Sequence, residues 1–155
     1  MEKLSVDLGV IEFEVGGGAL RFNPSNPKVY QRFISVLEDL PKIEQEYQRK
    51  EKEKQAFEEM SDLERASIVF GEMDQMDQEV KRRLSEAFGP GNDLNAIVGD
   101  ESLMGFGLNG ERVVTNLLNA LTPYIEQGVG KHMKGTAAKA VEEAKLNRAQ
   151  RRASK

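Results

Sequence analysis

The hydrophobic period of this chain changes once, between residues 22 and 27, and that change limits the fold more than any other feature. Before it, Leu4, Val6 and Leu8 alternate with Ser5 and Asp7; after Gly9 the phase shifts, and Ile11, Phe13 and Val15 alternate with Glu12 and Glu14. Period two is that of a strand with one buried and one solvated face. Gly16-Gly17-Gly18 provides residues that tolerate positive φ, so Ala19–Phe22 can return as a partner strand. A small antiparallel hairpin or sheet of two or three strands is expected over residues 1–22. Alone it would be marginal, so it must pack on helices.

After the change the period is helical. Asn26 is a suitable N-cap and Pro27 a suitable first residue. Val29, Tyr30, Phe33, Val36, Leu37, Leu40, Ile43 and Tyr47 fall on one stripe, with Pro41 expected to kink the helix or split it after Asp39. The run QRKEKEKQAFEE (48–59) is charged and helix-forming with little to bury, which predicts a projecting, solvated end. Ser61-Asp62-Leu63-Glu64 has the pattern of a capping box. The helix it opens carries Ala66, Val69, Phe70, Met73, Met76, Val80, Leu84 and Phe88 on one face and stops at Gly89-Pro90-Gly91. Residues 92–109 read as loop, with a short helical turn at 93–98. A third helix is predicted from about Gly110, with Val113, Val114, Leu117, Leu118, Leu121 and Ile125 inward, a bend at Pro123, and an end at Gly128 and Gly130. The expected fold is therefore α+β, mostly α: an N-terminal antiparallel hairpin or sheet, then a helical bundle with a basic C-terminal helix.

Charge divides the chain in two. From Lys131 to Lys155 eight basic residues stand against Glu142 and Glu143, a balance of +6, while the whole chain carries -4. Residues 1–130 therefore form one acidic domain, and 131–155 a basic tail, helical or flexible. An acidic body with a basic end points to an interaction tail, for a partner or for another copy.

The residue inventory argues against catalysis. Cysteine is absent and His132 is the single histidine, which removes thiolate chemistry and multi-histidine metal sites. Gly105-Phe106-Gly107-Leu108-Asn109-Gly110 matches a dinucleotide fingerprint but lacks the strand before it and the βαβ frame around it. Asp74, Asp77 and Glu79 lie close together on one helix and are expected to face water. His132 is expected on the surface. No apolar run approaches the roughly 18–20 residues of a membrane span, and the first residues lack a signal-peptide pattern, so a cytoplasmic protein is expected. No cofactor and no metal are expected. The arginines of 147–153 could meet phosphates, but no aromatic is interleaved for stacking and the acidic body repels a polyanion, so nucleic acid is a weak candidate.

In order of segments, the chain resembles the tail assembly chaperones of long-tailed bacteriophages and prophages. The likeness rests on the small β segment running into Phe22-Asn23-Pro24-Ser25-Asn26-Pro27-Lys28-Val29-Tyr30-Gln31-Arg32-Phe33, and on the charged helical middle leading to Phe88-Gly89. It continues with Asn116-Leu117-Leu118-Asn119-Ala120-Leu121-Thr122-Pro123-Tyr124-Ile125-Glu126 and the closing Asn147-Arg148-Ala149-Gln150-Arg151-Arg152. The resemblance implies a non-enzymatic protein that binds the tape-measure protein, keeps it soluble until tail-tube subunits polymerise around it, and is absent from the finished virion. On that reading, grooves beside Phe70, Met73, Met76 and Leu117 or Leu121 would take apolar partner side chains. Arg148, Arg151 and Arg152 would steer the encounter or dock on another copy, giving a homo-oligomer. The alternatives are a small structural tail or head-completion protein, and a nucleic-acid-associated regulator that uses the basic tail.

Overall fold

The computed structural model describes residues 1–53 and 57–153, with the side chains of 50–57 and 135–140 left aside. It is α+β and mostly helical. Strands β1 (Ile11–Val15) and β2 (Gly18–Phe22) pair antiparallel with Ile11 opposite Phe22 and Val15 opposite Gly18. The two-residue turn between them is Gly16-Gly17, with φ of 57° and 89°. A tight hairpin needs positive φ at both central positions, and glycine reaches it without steric cost. Helices α1 (Pro27–Glu53), α2 (Asp62–Phe88), α3 (Leu94–Val98) and α4 (Val113–Ala153) follow, with a 3-10 turn at Phe57–Glu59. The caps are those the residues predict. Asn26 Oδ1 accepts from the Lys28 N–H, Ser61 Oγ from the Glu64 N–H and Asp93 Oδ1 from the Asn95 N–H.

Four sequence expectations are corrected. The strand expected over Leu4, Val6 and Leu8 does not form: residues 1–10 carry no regular structure and are exposed. The hairpin cannot extend to them, because β2 ends at Phe22 and the chain turns at Pro24-Ser25. Helix α1 does not split, but runs through Pro41, which lies on its exposed side. The hydrogen bond lost there is lost where water can replace it. Helix α4 does not end at Gly128 or Gly130 either; it continues for 41 residues, about 62 Å. Gly128 is buried, and a Cβ there would come closer than 3.0 Å to the Pro24 carbonyl and the Ser25 nitrogen. Its role is close approach of helix to turn. Finally, Asp77 does not face water; it is 3% exposed.

The core lies between α1, α2 and the first third of α4, with β2 and α3 closing one end. A chain of rings crosses it: Phe13 on Phe22 (centroids 5.1 Å), Phe22 on Phe88 (4.8 Å) and Phe88 on Phe33 (6.5 Å), with Tyr124 edge-on to Phe13 at 4.9 Å. This ladder joins both strands to three helices, and such pairs add about 0.5–1.5 kcal/mol each beyond their buried area.

One buried ion pair sits beside that core. Lys81 Nζ lies 2.9 Å from Asp77 Oδ2, one turn earlier on α2, with side chains 2% and 4% exposed. Both groups also hold the loop that follows α3. Asp77 Oδ1 accepts from the Leu103 N–H at 2.7 Å, and Lys81 Nζ donates to the Gly99 carbonyl at 3.4 Å. Leu103 and Met104 are thereby seated in the core. The Leu103 and Gly105 carbonyls in turn accept from Val114 and Val113, the first N–H groups of α4.

Two stability predictions follow from these contacts. Gly128→Ala should lower stability by about 1–3 kcal/mol through overpacking against the turn. Gly130→Ala, with nothing within 4 Å of the added carbon, should raise it by about 1 kcal/mol through helix propensity; thermal melts of the two variants should therefore move in opposite directions. Asp77→Ala should cost about 3–5 kcal/mol, because it strands a buried ammonium. The double variant D77L/K81M should recover part of that loss in urea titration but not all, since the Leu103 N–H is left unpaired.

Candidate functional site

The residues expected to bind a partner separate into four environments. Phe70 is 66% exposed on α2, and Met73 on the same helix is half-buried. Met76 is buried but lines a groove of about 260 Å³ between α1 and α4, together with Leu40, Val80, Val114 and Leu118. Leu117 and Leu121 are core residues, 9% and 3% exposed, and do not line that groove. The inward stripe of α4 is simply wide enough that Val114 and Leu118 meet the groove and Leu117 and Leu121 the interior. Arg148, Arg151 and Arg152 are exposed, and their three- and four-residue spacing puts them on one face of α4.

Helix α2 presents more apolar surface than its sequence period implied. Leu63, 85% exposed, lies two turns before Phe70, so both fall on one face roughly 10 Å apart. They belong to the projecting end of the α1–α2 pair, beyond the last deeply buried residues Ile43 and Glu72. The end of α4 is the second such surface. Residues 131–153 add about 34 Å of helix and carry Met133, Val141 and Leu146 at 65%, 54% and 62% exposure among the basic residues. A third apolar display is the loop before α4. Phe106 and Leu108 point outward at 67% and 111% exposure, while the Gly107 N–H bonds the Glu111 carbonyl and Asn109 bonds the Asn116 side chain.

Polar groups lie away from these surfaces or brace them. Arg112 closes one end of the α1–α4 groove, 3.2 Å from Glu44, and donates to the Met104 carbonyl. A larger open cleft of about 880 Å³ runs between α1 and the end of α2, past Arg32, Asp39, Arg83, Glu86 and Asn92. Arg83 is held there by Asp39 at 2.8 Å and Glu79 at 3.4 Å. His132 lies on the surface as expected, and it has a partner distant in sequence. Its Nε2 donates to the Ser25 carbonyl, which pins α4 to the turn before α1. Among the described residues no group of three or more histidine, cysteine, aspartate or glutamate side chains could hold a metal, and no helix is long and apolar enough to cross a membrane.

Comparison with protein-family models, curated proteins and solved structures found no match. The surfaces themselves therefore carry the functional reading.

Sequence reasoning missed Asp77 and Lys81, although a signal was present. With Leu84 and Phe88 they repeat at four, three and four residues, which places both ions beside the buried stripe. It also missed the environment of Tyr47, whose hydroxyl donates to Glu79 Oε2 at 3.4 Å. Burial, then the negative charge of Glu79, raises this phenol above the ordinary tyrosine value, with Glu46 and Glu72 adding to the effect. The folded state thus holds the proton more tightly than the unfolded chain. The stabilisation is complete below the ordinary tyrosine range of about 10 and is lost as pH rises through the raised value. In an alkaline titration followed by phenolate absorbance, one late-titrating tyrosine is expected, and Tyr47→Phe should remove it.

Proposed function

We propose that this chain is a non-catalytic assembly chaperone of a long-tailed phage or prophage, which binds the tape-measure protein and keeps it soluble until tail-tube subunits polymerise around it. The observation that carries the reading is the end of α4: a basic helix with exposed apolar side chains that leaves the core of an otherwise acidic body. Such a helix is built to lie along another helix. Its apolar residues cover partner stripes, and its arginines and lysines favour acidic positions beside them. The Leu63–Phe70 face of α2 adds a second apolar strip on a charged arm, where the arm's charge keeps the complex soluble. The protein would act in the host cytoplasm, as a homo-oligomer or bound to its client, and would need no cofactor.

Co-expression with the tape-measure protein of the same genome tests this. The client should be insoluble alone and soluble in complex with the wild-type chain. Reversing Arg148, Arg151 and Arg152 to glutamate should weaken capture about tenfold or more and reduce its salt dependence. Leu63→Ser with Phe70→Ser should weaken it without lowering the melting temperature, because both side chains are exposed. A client that stays insoluble, with the chain found instead in purified particles, would assign a structural tail or head-completion role. Salt-sensitive DNA binding abolished by the same arginine reversals would assign the regulator.

A further inference from the structure

The two-stranded sheet is sealed along one edge and open along the other. Beside β2, the buried Asn92 side chain accepts from the Arg21 N–H at 2.8 Å and donates to the Arg21 carbonyl at 2.7 Å, standing in for a third strand. No comparable group meets the outer edge of β1 among the described residues. The chain that leads into β1 repeats the pattern of a strand without a partner. Leu4, Val6, Leu8 and Val10 alternate with polar residues or glycine, at 83%, 66%, 69% and 49% exposure. The segment is anchored at its base, where Asn23 Nδ2 donates to the Leu8 carbonyl at 2.9 Å and Asp7 Oδ1 accepts from the Gly9 N–H at 2.8 Å. An exposed segment of alternating apolar side chains that runs into an open-edged sheet is what strand addition uses.

We propose that residues 3–7 pair with the same segment of a second copy, as an antiparallel two-fold ribbon centred on Ser5. Charge complementarity selects both the occupant and the register. A two-fold antiparallel pairing keeps the apolar side chains on one face only when it is centred on a residue, because a one-residue slip turns every side chain over. Centred on Ser5, Lys3 of each copy faces Asp7 of the other and Leu4 faces Val6, each twice by symmetry. Centred on Val6, Lys3 faces Gly9 and Asp7 faces Ser5, so no charges pair. Centred on Leu4, Lys3 faces Ser5 and the lysine goes unmatched. Centred on Asp7, two carboxylates oppose each other, which is destabilising. Asp7 Oδ1 already holds Gly9, and Oδ2 is left for the lysine. A self-complementary patch closes as a symmetric dimer. A helical client offers no strand edge, so this surface is distinct from the one proposed for the tape-measure protein and stands or falls separately.

The absence of cysteine makes the test direct. Ser5→Cys would place one thiol opposite its own mate, where Cα atoms roughly 4.5–5.5 Å apart fall inside the disulfide range of about 4.4–6.8 Å. Mild oxidation should convert S5C to a covalent dimer much faster than V6C or S67C, the last an exposed position on α2. In sedimentation velocity the wild type should dimerise with rising concentration. Lys3→Asp or Asp7→Lys alone creates two like-charge pairs and should weaken that dimer about tenfold; the double swap K3D/D7K should restore it. A wild type that stays monomeric at every concentration overturns the proposal, as does a double swap without recovery or an S5C that oxidises no faster than S67C. Faster cross-linking of V6C overturns the register.

Discussion

The Asp77–Lys81 pair is the contact on which the arrangement of the helices depends. Its value does not lie in Coulomb attraction, because removing two charges from water costs about what their attraction returns. What it supplies is a set of bonds to backbone. The loop at 99–105 has to enter the core so that Leu103 and Met104 can fill it, and it brings peptide groups that a purely apolar α2 would leave unpaired. Each such orphan costs roughly 1–3 kcal/mol. Asp77 takes the Leu103 N–H and Lys81 takes the Gly99 carbonyl. With the loop held, its own carbonyls are positioned to receive the first amides of α4. The chain thus passes from α2 to α4 through a relay of hydrogen bonds, and the position of the longest helix is set at its start.

Where α4 leaves the core is decided by a different kind of contact. The aromatic ladder ends at Tyr124 and the buried stripe at Ile125. One turn later Gly128 admits the Pro24-Ser25 backbone, and His132 bonds the Ser25 carbonyl. After that the described side chains of α4 are exposed to its end. The helix persists there because its composition, rich in alanine, lysine, glutamate and arginine, favours helix without burial. It also continues a helix already nucleated, so the costly first turn does not have to be formed again.

Period and capping made much of this legible in advance: the hairpin with its Gly-Gly turn, the two long helices and their caps, the short turn after Asp93. What stayed hidden depended on contacts between residues distant in sequence. Gly128 reads as a helix stop because glycine is a poor helix former; only the crossing of the Pro24 turn makes it a packing residue. Asp77 reads as solvated because charge is normally exposed, and Lys81 draws no attention; the loop that buries them lies 18 to 26 residues further along the chain. Residues 4–8 carry the alternation of a strand but form none, because β2 ends too early to pair with them, which nothing local shows. Of the expected binding residues, Phe70, which the period groups with the buried stripe of α2, is exposed, and the three arginines share one exposed face of α4. Leu117 and Leu121 are inward, as the period predicts, while their neighbours Val114 and Leu118 line the groove.

The turn at 23–26 ties the two ends of the chain together. Asn23 holds the Leu8 carbonyl with its amide nitrogen, while its amide oxygen accepts from the Ser25 N–H and hydroxyl at 2.8 and 2.7 Å. Ser25 in turn receives His132, and the Pro24 backbone fills the space over Gly128. The base of the unpaired N-terminal segment and the point where the basic helix departs therefore share one turn. A two-fold ribbon formed by that segment would fix two basic helices in one assembly. A client with a repeating helical stripe would then be met twice, the second contact being made at an effective concentration set by the dimer rather than by the cell. On the proposed chaperone reading, weak helix-on-helix contacts of this kind would hold a long client when paired and release it one at a time.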